Sequence, residues 1–229
     1  MIAVTFALPA ESSHFIKLLD RKSRGKGVMS GTLHGKPIYV LHTGVGERAS
    51  RQRMTDFLSC HDPAFLVSSG FAGALTDRLE VGDVLLAQNY SSADELVRAR
   101  SLLPDSSTHV GQLFTAGHVV DSAEARADAA RDSGALAVDM ETRFIAEACR
   151  ERGIPMLSVR VISDTPAAPL PLPPEVMFDV QRQRTRYCAL ALHVATDPGA
   201  FWRLSGFRLQ LDLARSALAD AVEALITRS

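Results

Sequence analysis

The chain has 229 residues, 46% of them hydrophobic, and a formal net charge of −1. That balance suits one α/β domain large enough to bury a core, and it gives a nucleic acid no electrostatic reason to bind. Met1 leads into an apolar run with no basic n-region, no apolar run reaches the roughly 18–20 residues of a membrane span, and Cys60, Cys149 and Cys188 form neither a metal-spacing motif nor an even disulfide set, so a reducing cytoplasm without a signal peptide is expected.

Residues 2–8 read as a buried strand. Pro9-Ala10-Glu11 follows, then a helix over about 12–19 carrying Phe15, Leu18 and Leu19. Glu11 thus sits just past the carboxyl end of the first strand. By position alone it is an acid complementing a helix dipole, worth about 0.3–1 kcal/mol. The basic, Gly-rich stretch 22–36 predicts hairpin turns, because no helix follows its glycines directly. Residues 37–42 form a second strand, followed by Thr43-Gly44-Val45-Gly46 and a helix over 47–60. Strand, Gly-x-Gly, helix lets backbone approach a small ligand. The third glycine of a dinucleotide fingerprint and the Gly-Lys-Ser/Thr of a Walker loop are missing, so no cofactor is predicted.

Residues 64–69 form a third strand, ending in Gly70-Phe71-Ala72-Gly73-Ala74. Small residues there admit either a ligand or a closely packed helix. Residues 81–87 form a fourth strand, entered through a Gly-Asp turn. The polar stretch 89–108 lacks periodicity and reads as a surface excursion. Residues 112–120 read as a further strand, and 121–133 as an Ala-rich helix broken by Gly134.

The stretch 137–165 carries the most chemistry. Asp139 and Glu141 lie at i and i+2 and share a face on an extended backbone. A helix over 142–152 places Phe144, Ile145, Ala148 and Cys149 on one side, and Gly153 and Pro155 end it. The apolar strand 156–162 then runs into Ser163-Asp164, where open α/β sheets keep their binding crevices. Ser-Asp after a strand is also ordinary turn chemistry, and an acid before a helix also complements its dipole. Their placement one helix apart points to a site. The five-proline run after Asp164 is an extended loop, either a wall of that site or a solvated connector.

Asp197-Pro198-Gly199 opens a long helix whose seam is Leu204, Phe207, Leu211, Ala214, Leu218, Ala221 and Leu225. Docking on the chain's own sheet is the first reading. Arg203, Arg208 and Arg215, off the seam, leave a subunit or membrane-surface contact open. The histidines show no ligand spacing, so no metal is predicted. The alternation of strands and helices predicts an α/β fold with a largely parallel core sheet, as one domain over residues 1–229.

Five segments, in this order, resemble the nucleoside phosphorylase/nucleosidase superfamily, in particular the 5′-methylthioadenosine/S-adenosylhomocysteine nucleosidases and the hopanoid-associated phosphorylases. They are the first strand with Glu11, Thr43-Gly-Val-Gly46, Ser69-Gly-Phe-Ala-Gly73, Val138-Asp-Met-Glu141 and Arg160-Val-Ile-Ser-Asp164. The Pro-rich loop and long C-terminal helix look more like the hopanoid-associated branch. The resemblance implies a three-layer α/β/α sandwich with a mixed, partly barrel-like central sheet. It implies a homodimer whose neighbouring subunit supplies part of the 5′ pocket. It further implies cleavage of a purine N-glycosidic bond, most simply hydrolytic release of adenine from a 5′-substituted adenosine. Small thioadenosines and lipid-linked adenosines are the two substrate classes.

The roles implied follow the charges of that reaction. Glu11 takes a proton from the attacking water, and Glu141 accepts from ribose hydroxyls while Met140 packs on the ribose. Asp164, protonated or sharing a proton, meets N7 of the base. Phe71, Ala72, Gly73, Val120 and Ser163 contact the base. The chain departs from the family pattern in three places. Phosphorylases resemble Arg-x-Gly-Ser/Thr where this chain has Ser68-Ser69-Gly70-Phe71, which favours water over phosphate; Arg48 is the one nearby substitute. Phe71 stands where the nucleosidases have a serine. Val119-Val120 stands where they have an aromatic. Phosphorolysis, a non-catalytic nucleoside-binding protein on the same fold, and a dinucleotide-dependent oxidoreductase are the competing readings. The incomplete glycine fingerprint argues against the last.

Overall fold

Along β1 (Ile2–Phe6) the side chains alternate between two cores. Val4 and Phe6 enter one, with Val67, Leu157 and Val159; Ala3 enters the other, with Leu66 and Met156. This alternation, repeated on neighbouring strands, requires helices on both faces. The computed structural model describes residues 1–25, 27–172, 176, 178–179, 181, 183–185 and 196–227. After β1 come α1 (Ser13–Leu18), β2 (Asp20–Arg24), β3 (Val28–Leu33), β4 (Lys36–His42), α2 (Glu47–Cys60), β5 (Phe65–Ala74) and β6 (Val84–Ala87). Then follow α3 (Ala93–Leu102), β7 (Thr108–Gly111), β8 (Leu113–Thr115), α4 (Ala123–Ser133), β9 (Ala137–Asp139), α5 (Thr142–Glu151) and β10 (Met156–Asp164). A short ladder of β11 (Phe178–Asp179) and β12 (Arg184–Thr185) precedes α6 (Pro198–Thr227).

The fold is mixed α/β. The sheet runs β2-β3-β4-β1-β5-β10-β6-β7, with β9 pairing both β5 and β8. Its centre, β4-β1-β5-β10, is parallel; β2, β3, β6 and β9 add antiparallel pairings. Only Gln112 separates β7 from β8, so the pairings turn back on themselves: β5, β10, β6, β7, then β8, β9 and β5 again. Inside this ring Ala72, Ala74, Leu85, Leu113, Ala137 and Ile162 pack as one cluster. The small residues of β5 suit that interior, because a short ring has little room.

Helices α1, α3 and α6 cover one face through Phe15, Ala99, Leu218 and Val222. Helices α2 and α5 cover the other through Met54, Phe57, Ile145 and Cys149. Of the seam expected on α6, Phe207, Ala214, Leu218, Ala221 and Leu225 are buried, while Leu204 and Leu211 are only half-buried. The helix docks on the sheet, and Lys36 Nζ donates to the Ile226 carbonyl at 2.8 Å. Trp202, Leu209 and Leu213 stay exposed on its first half. Among the described residues no helix is long and apolar enough to cross a membrane.

Three expectations are corrected. The stretch 89–108 holds a helix, α3, with Asp94 and Glu95 in its first turn and Ala99 buried; one inward face sufficed where no long periodicity was visible. The strand expected over 112–120 stops at Thr115 as β8. The third strand does not end at Ser69 but continues as β5 through Gly70–Ala74, because β10 and then β9 pair with that half. Of the Pro-rich loop, residues 173–175 lie outside the described residues, as do Cys188 and His193; before them Leu172 is buried.

Candidate active site

Parallel strands in register bring their carboxyl ends to one side: Phe6 lies opposite His42, and Gly70 opposite Arg160. There a cavity of about 180 Å³ opens. Its walls contain every site residue anticipated from the sequence: Glu11, Phe71, Ala72, Gly73, Val120, Met140, Glu141, Ser163 and Asp164. Ala7, Val45, His118 and Leu170 also line it, so the start of the Pro-rich loop is a wall of the cavity. Arg48 is exposed and does not line it.

Glu11 is buried after β1, and its Oε2 accepts from the Ala7 N–H at 2.8 Å and the Leu8 N–H at 3.2 Å. Burial raises its pKa, against the pull of these N–H groups and of Arg160. A Cβ at Gly70 would stand 3.3 Å from Oε2, so a glycine in β5 leaves the acid its space.

Glu141 follows β9, and its Oε1 accepts from the Gly46 N–H at 2.8 Å. Burial, then the charge of Asp139, pushes its pKa up to about 8, with Glu11 adding to the rise. The loop that supplies this N–H needs its glycines: Gly44 and Gly46 have φ of +76° and +83°. A Cβ at Gly44 would also stand 2.8 Å from Ala49 Cβ and from Gln183 Oε1. Gln183 clamps the loop from outside, accepting from the Val45 N–H at 2.6 Å and donating to its carbonyl at 2.8 Å.

Asp139 shares the cavity but is tied into a buried network. It accepts from Arg160 Nε at 3.1 Å, Thr115 Oγ1 at 2.8 Å and the Thr142 N–H at 3.0 Å. Arg160 also donates to the Ser68 carbonyl at 2.8 Å and to Ser68 Oγ at 3.0 Å. This pair fixes the end of β9, and with it the backbone carrying Met140 and Glu141.

At the opposite end Asp164 accepts from Ser163 Oγ at 2.7 Å through Oδ1, and forms a buried salt bridge to Arg126 through Oδ2. Arg126 Nη1 also donates to the Ala74 carbonyl at 2.6 Å. The pair crosses over Gly73, where a Cβ would stand 2.9 Å from Asp164 Oδ2 and 3.3 Å from Arg126 Nη1. At this end Asp164 lies beside the guanidinium of Arg126.

Sequence reasoning missed Arg126, Arg160 and His118. Arg126 is 1% exposed. Its signal lay in register: Ala129 and Ala130, three and four positions on, share its helix face and pack on a core cluster. Arg160 interrupts an otherwise apolar strand, which was a legible anomaly. His118 had no signal in its surroundings.

The family described as the phosphorylase superfamily matches residues 2–105 and 94–196. The 5′-methylthioadenosine/S-adenosylhomocysteine nucleosidase of Chromohalobacter salexigens is 26% identical over 196 residues, covering 71% of this chain and 83% of its own. The enzyme of that name from Staphylococcus haemolyticus is 23% identical over 162 residues, covering 58% and 71%. Among solved structures, futalosine hydrolase of Helicobacter pylori superposes with a TM-score of 0.74 at 17% identity, covering 100% of this chain and 97% of its own. The nucleosidase of S. pneumoniae with the transition-state inhibitor MT-ImmA gives 0.74 at 18%, covering 98% and 97%. That of Colwellia psychrerythraea, in complex with adenine, gives 0.75 at 16%, covering 99% and 94%.

Proposed function

Because the chain belongs to the phosphorylase superfamily, we propose that its cavity cleaves the N-glycosidic bond of a purine nucleoside by hydrolysis, releasing adenine from a 5′-substituted adenosine. The observation that carries this reading is the convergence of Glu11, Glu141 and Asp164 on one cavity, with two acids at one end and the third at the other. Relatives bearing the nucleosidase name, and a similar fold holding adenine, support the substrate class.

Cleavage begins as N7 takes a proton from solvent, so that the base leaves as neutral adenine with the electron pair of the glycosidic bond; the proton that Glu11 later takes from the attacking water returns to solvent and closes the balance. Asp164 accepts a hydrogen bond from N7–H and holds that form. The ribose is left with oxocarbenium character, which the Glu141 carboxylate favours while accepting from the hydroxyls. Water attacks the anomeric carbon and gives its proton to Glu11, whose raised pKa makes it a stronger base than an exposed glutamate. The division of work resembles that of two carboxylates in glycoside hydrolysis. Water as nucleophile is supported by the fate of the arginines: Arg126 and Arg160 are engaged by Asp164 and Asp139, and Arg48 is exposed and outside the cavity lining.

The experiment is adenine release from methylthioadenosine, S-adenosylhomocysteine and a long-chain 5′-alkyl adenosine, each with and without phosphate. Phosphate-independent release is expected. A strict phosphate requirement would overturn the hydrolytic step, and no release from any of the three would overturn the reading. Turnover of the long-chain compound alone would move the substrate to the lipid-linked class.

A further inference from the structure

Asp164 and Ser163 give the base end of the cavity an edge of oxygen acceptors. Both oxygens of Asp164 are in use, one by Ser163 Oγ and one by Arg126. Ser163 donates its hydroxyl proton to Asp164 at 2.7 Å, with the Ala72 carbonyl at 3.5 Å as its other acceptor, so within the protein that proton is already bonded. A carboxylate retains lone pairs after two such bonds, so this edge can still accept but has no side-chain proton to give. Arg126 reaches the pair from α4, behind the wall. Its guanidinium is buried, bonded to the Ala74 carbonyl, and does not line the cavity.

We propose that Arg126 is a specificity-determining positioning residue: by pairing with Asp164 across Gly73 it fixes the base end of the cavity as a hydrogen-bond acceptor, which selects 6-aminopurines over 6-oxopurines. The proposal rests on the purine-nucleoside reading above. A 6-aminopurine protonated at N7 presents two donors to this edge, N7–H and the amino N–H. A 6-oxopurine presents a carbonyl oxygen beside N7, and that lone pair meets carboxylate and hydroxyl oxygens with no proton between them. Sites built around one hydrogen-bond pattern reject the complementary pattern strongly, because the mismatched groups are left buried and unpaired. Without the guanidinium nothing holds the Asp164 side chain in place across Gly73, so the discrimination should relax.

The test compares kcat/KM for two nucleosides differing only at C6, methylthioadenosine and methylthioinosine, in the unsubstituted protein and in Arg126→Lys, Arg126→Gln and Arg126→Met. The unsubstituted protein should favour the 6-amino compound by at least about 10²-fold. Arg126→Lys, which keeps the charge, should retain most of that ratio. Arg126→Gln, which keeps donors without charge, should lower it about tenfold or more, and Arg126→Met further. A merely structural role would lower both substrates together and leave the ratio unchanged in all variants, and that result would overturn the proposal. So would a native preference for the 6-oxo compound. Should Arg126→Met fail to fold, the Lys and Gln variants decide. Should neither nucleoside be cleaved, the catalytic reading has failed, and calorimetric titration with free adenine and hypoxanthine tests Arg126 separately. A preference for adenine that is lost in Arg126→Gln supports the proposal; equal affinity, or no binding of either base, overturns it.

Discussion

The two ends of one cavity bury their carboxylates in opposite ways. At the sugar end, Glu11 and Glu141 lie together with backbone N–H groups as partners, and burial raises the pKa of both. At the base end, Asp164 is matched directly by Arg126. For Glu11 and Glu141 desolvation outweighs the pull of the N–H groups, whereas Asp164 has a cation beside it. The contrast separates a chemical end from a recognition end, on strands that differ little in composition.

The sharpest way to break that contrast is Glu11→Gln. Turnover should fall about 10²–10⁴-fold while affinity for adenine holds. Steady-state kinetics beside calorimetry checks this, and a variant that keeps full turnover would move the base elsewhere. Arg160→Met comes next. It strands Asp139 without its buried partner and should destabilise the fold by about 3–5 kcal/mol, read as a lower urea midpoint at unchanged slope.

The pH dependence of Glu141 sharpens the comparison. Its folded pKa of about 8 lies above the ordinary 4.5, so the folded chain binds this proton more tightly than the unfolded one. The stability it contributes is therefore complete below about 4.5 and is lost as pH rises toward 8. Over that window the loss should be on the order of a few kcal/mol. Denaturant melts at several pH values should show it, flattened in Glu141→Gln. Activity should run the other way, with kcat/KM rising toward pH 8 as Glu141 ionises. A profile that falls across this range would contradict its role.

The smallest effect is expected from Gly44→Ala. It forces a side chain into a left-handed backbone and against Ala49 and Gln183, costing about 1–3 kcal/mol. The loop that donates to Glu141 would shift, so KM should rise for both nucleosides with their ratio unchanged. A changed ratio would mean that the two ends are coupled.

The periodic elements were legible: β1, α2, α5, β10 and α6 fall where alternation or helical spacing put them, and the order of the five motifs carried the fold. Closure of the ring was not legible from pattern, because it depends on β9 finding both β5 and β8, and three-residue strands carry no periodicity of their own. The partner of Arg126 was not legible for a related reason, although its helix face was. A charged residue on an Ala-rich helix is usually solvated, and what buries this one is Asp164, 38 positions later. Strand-end position pointed to Asp164, but Glu11, Met140 and the base contacts were named only through the resemblance of the five motifs to a known family. The partner behind the wall belongs to no motif.

Helix α6 fills the same core as β1, β3 and β4: Leu218, Val222 and Ile226 pack with Val4, Phe6, Leu33 and Val40. During vectorial synthesis the first strand therefore leaves the ribosome long before its cover. At roughly 5–20 residues per second the delay is on the order of 10–40 s. Throughout that interval only α1 and α3 are there to cover that apolar face; the part left open is the kind of surface that holding chaperones recognise, and a chain stalled before α6 would expose it permanently.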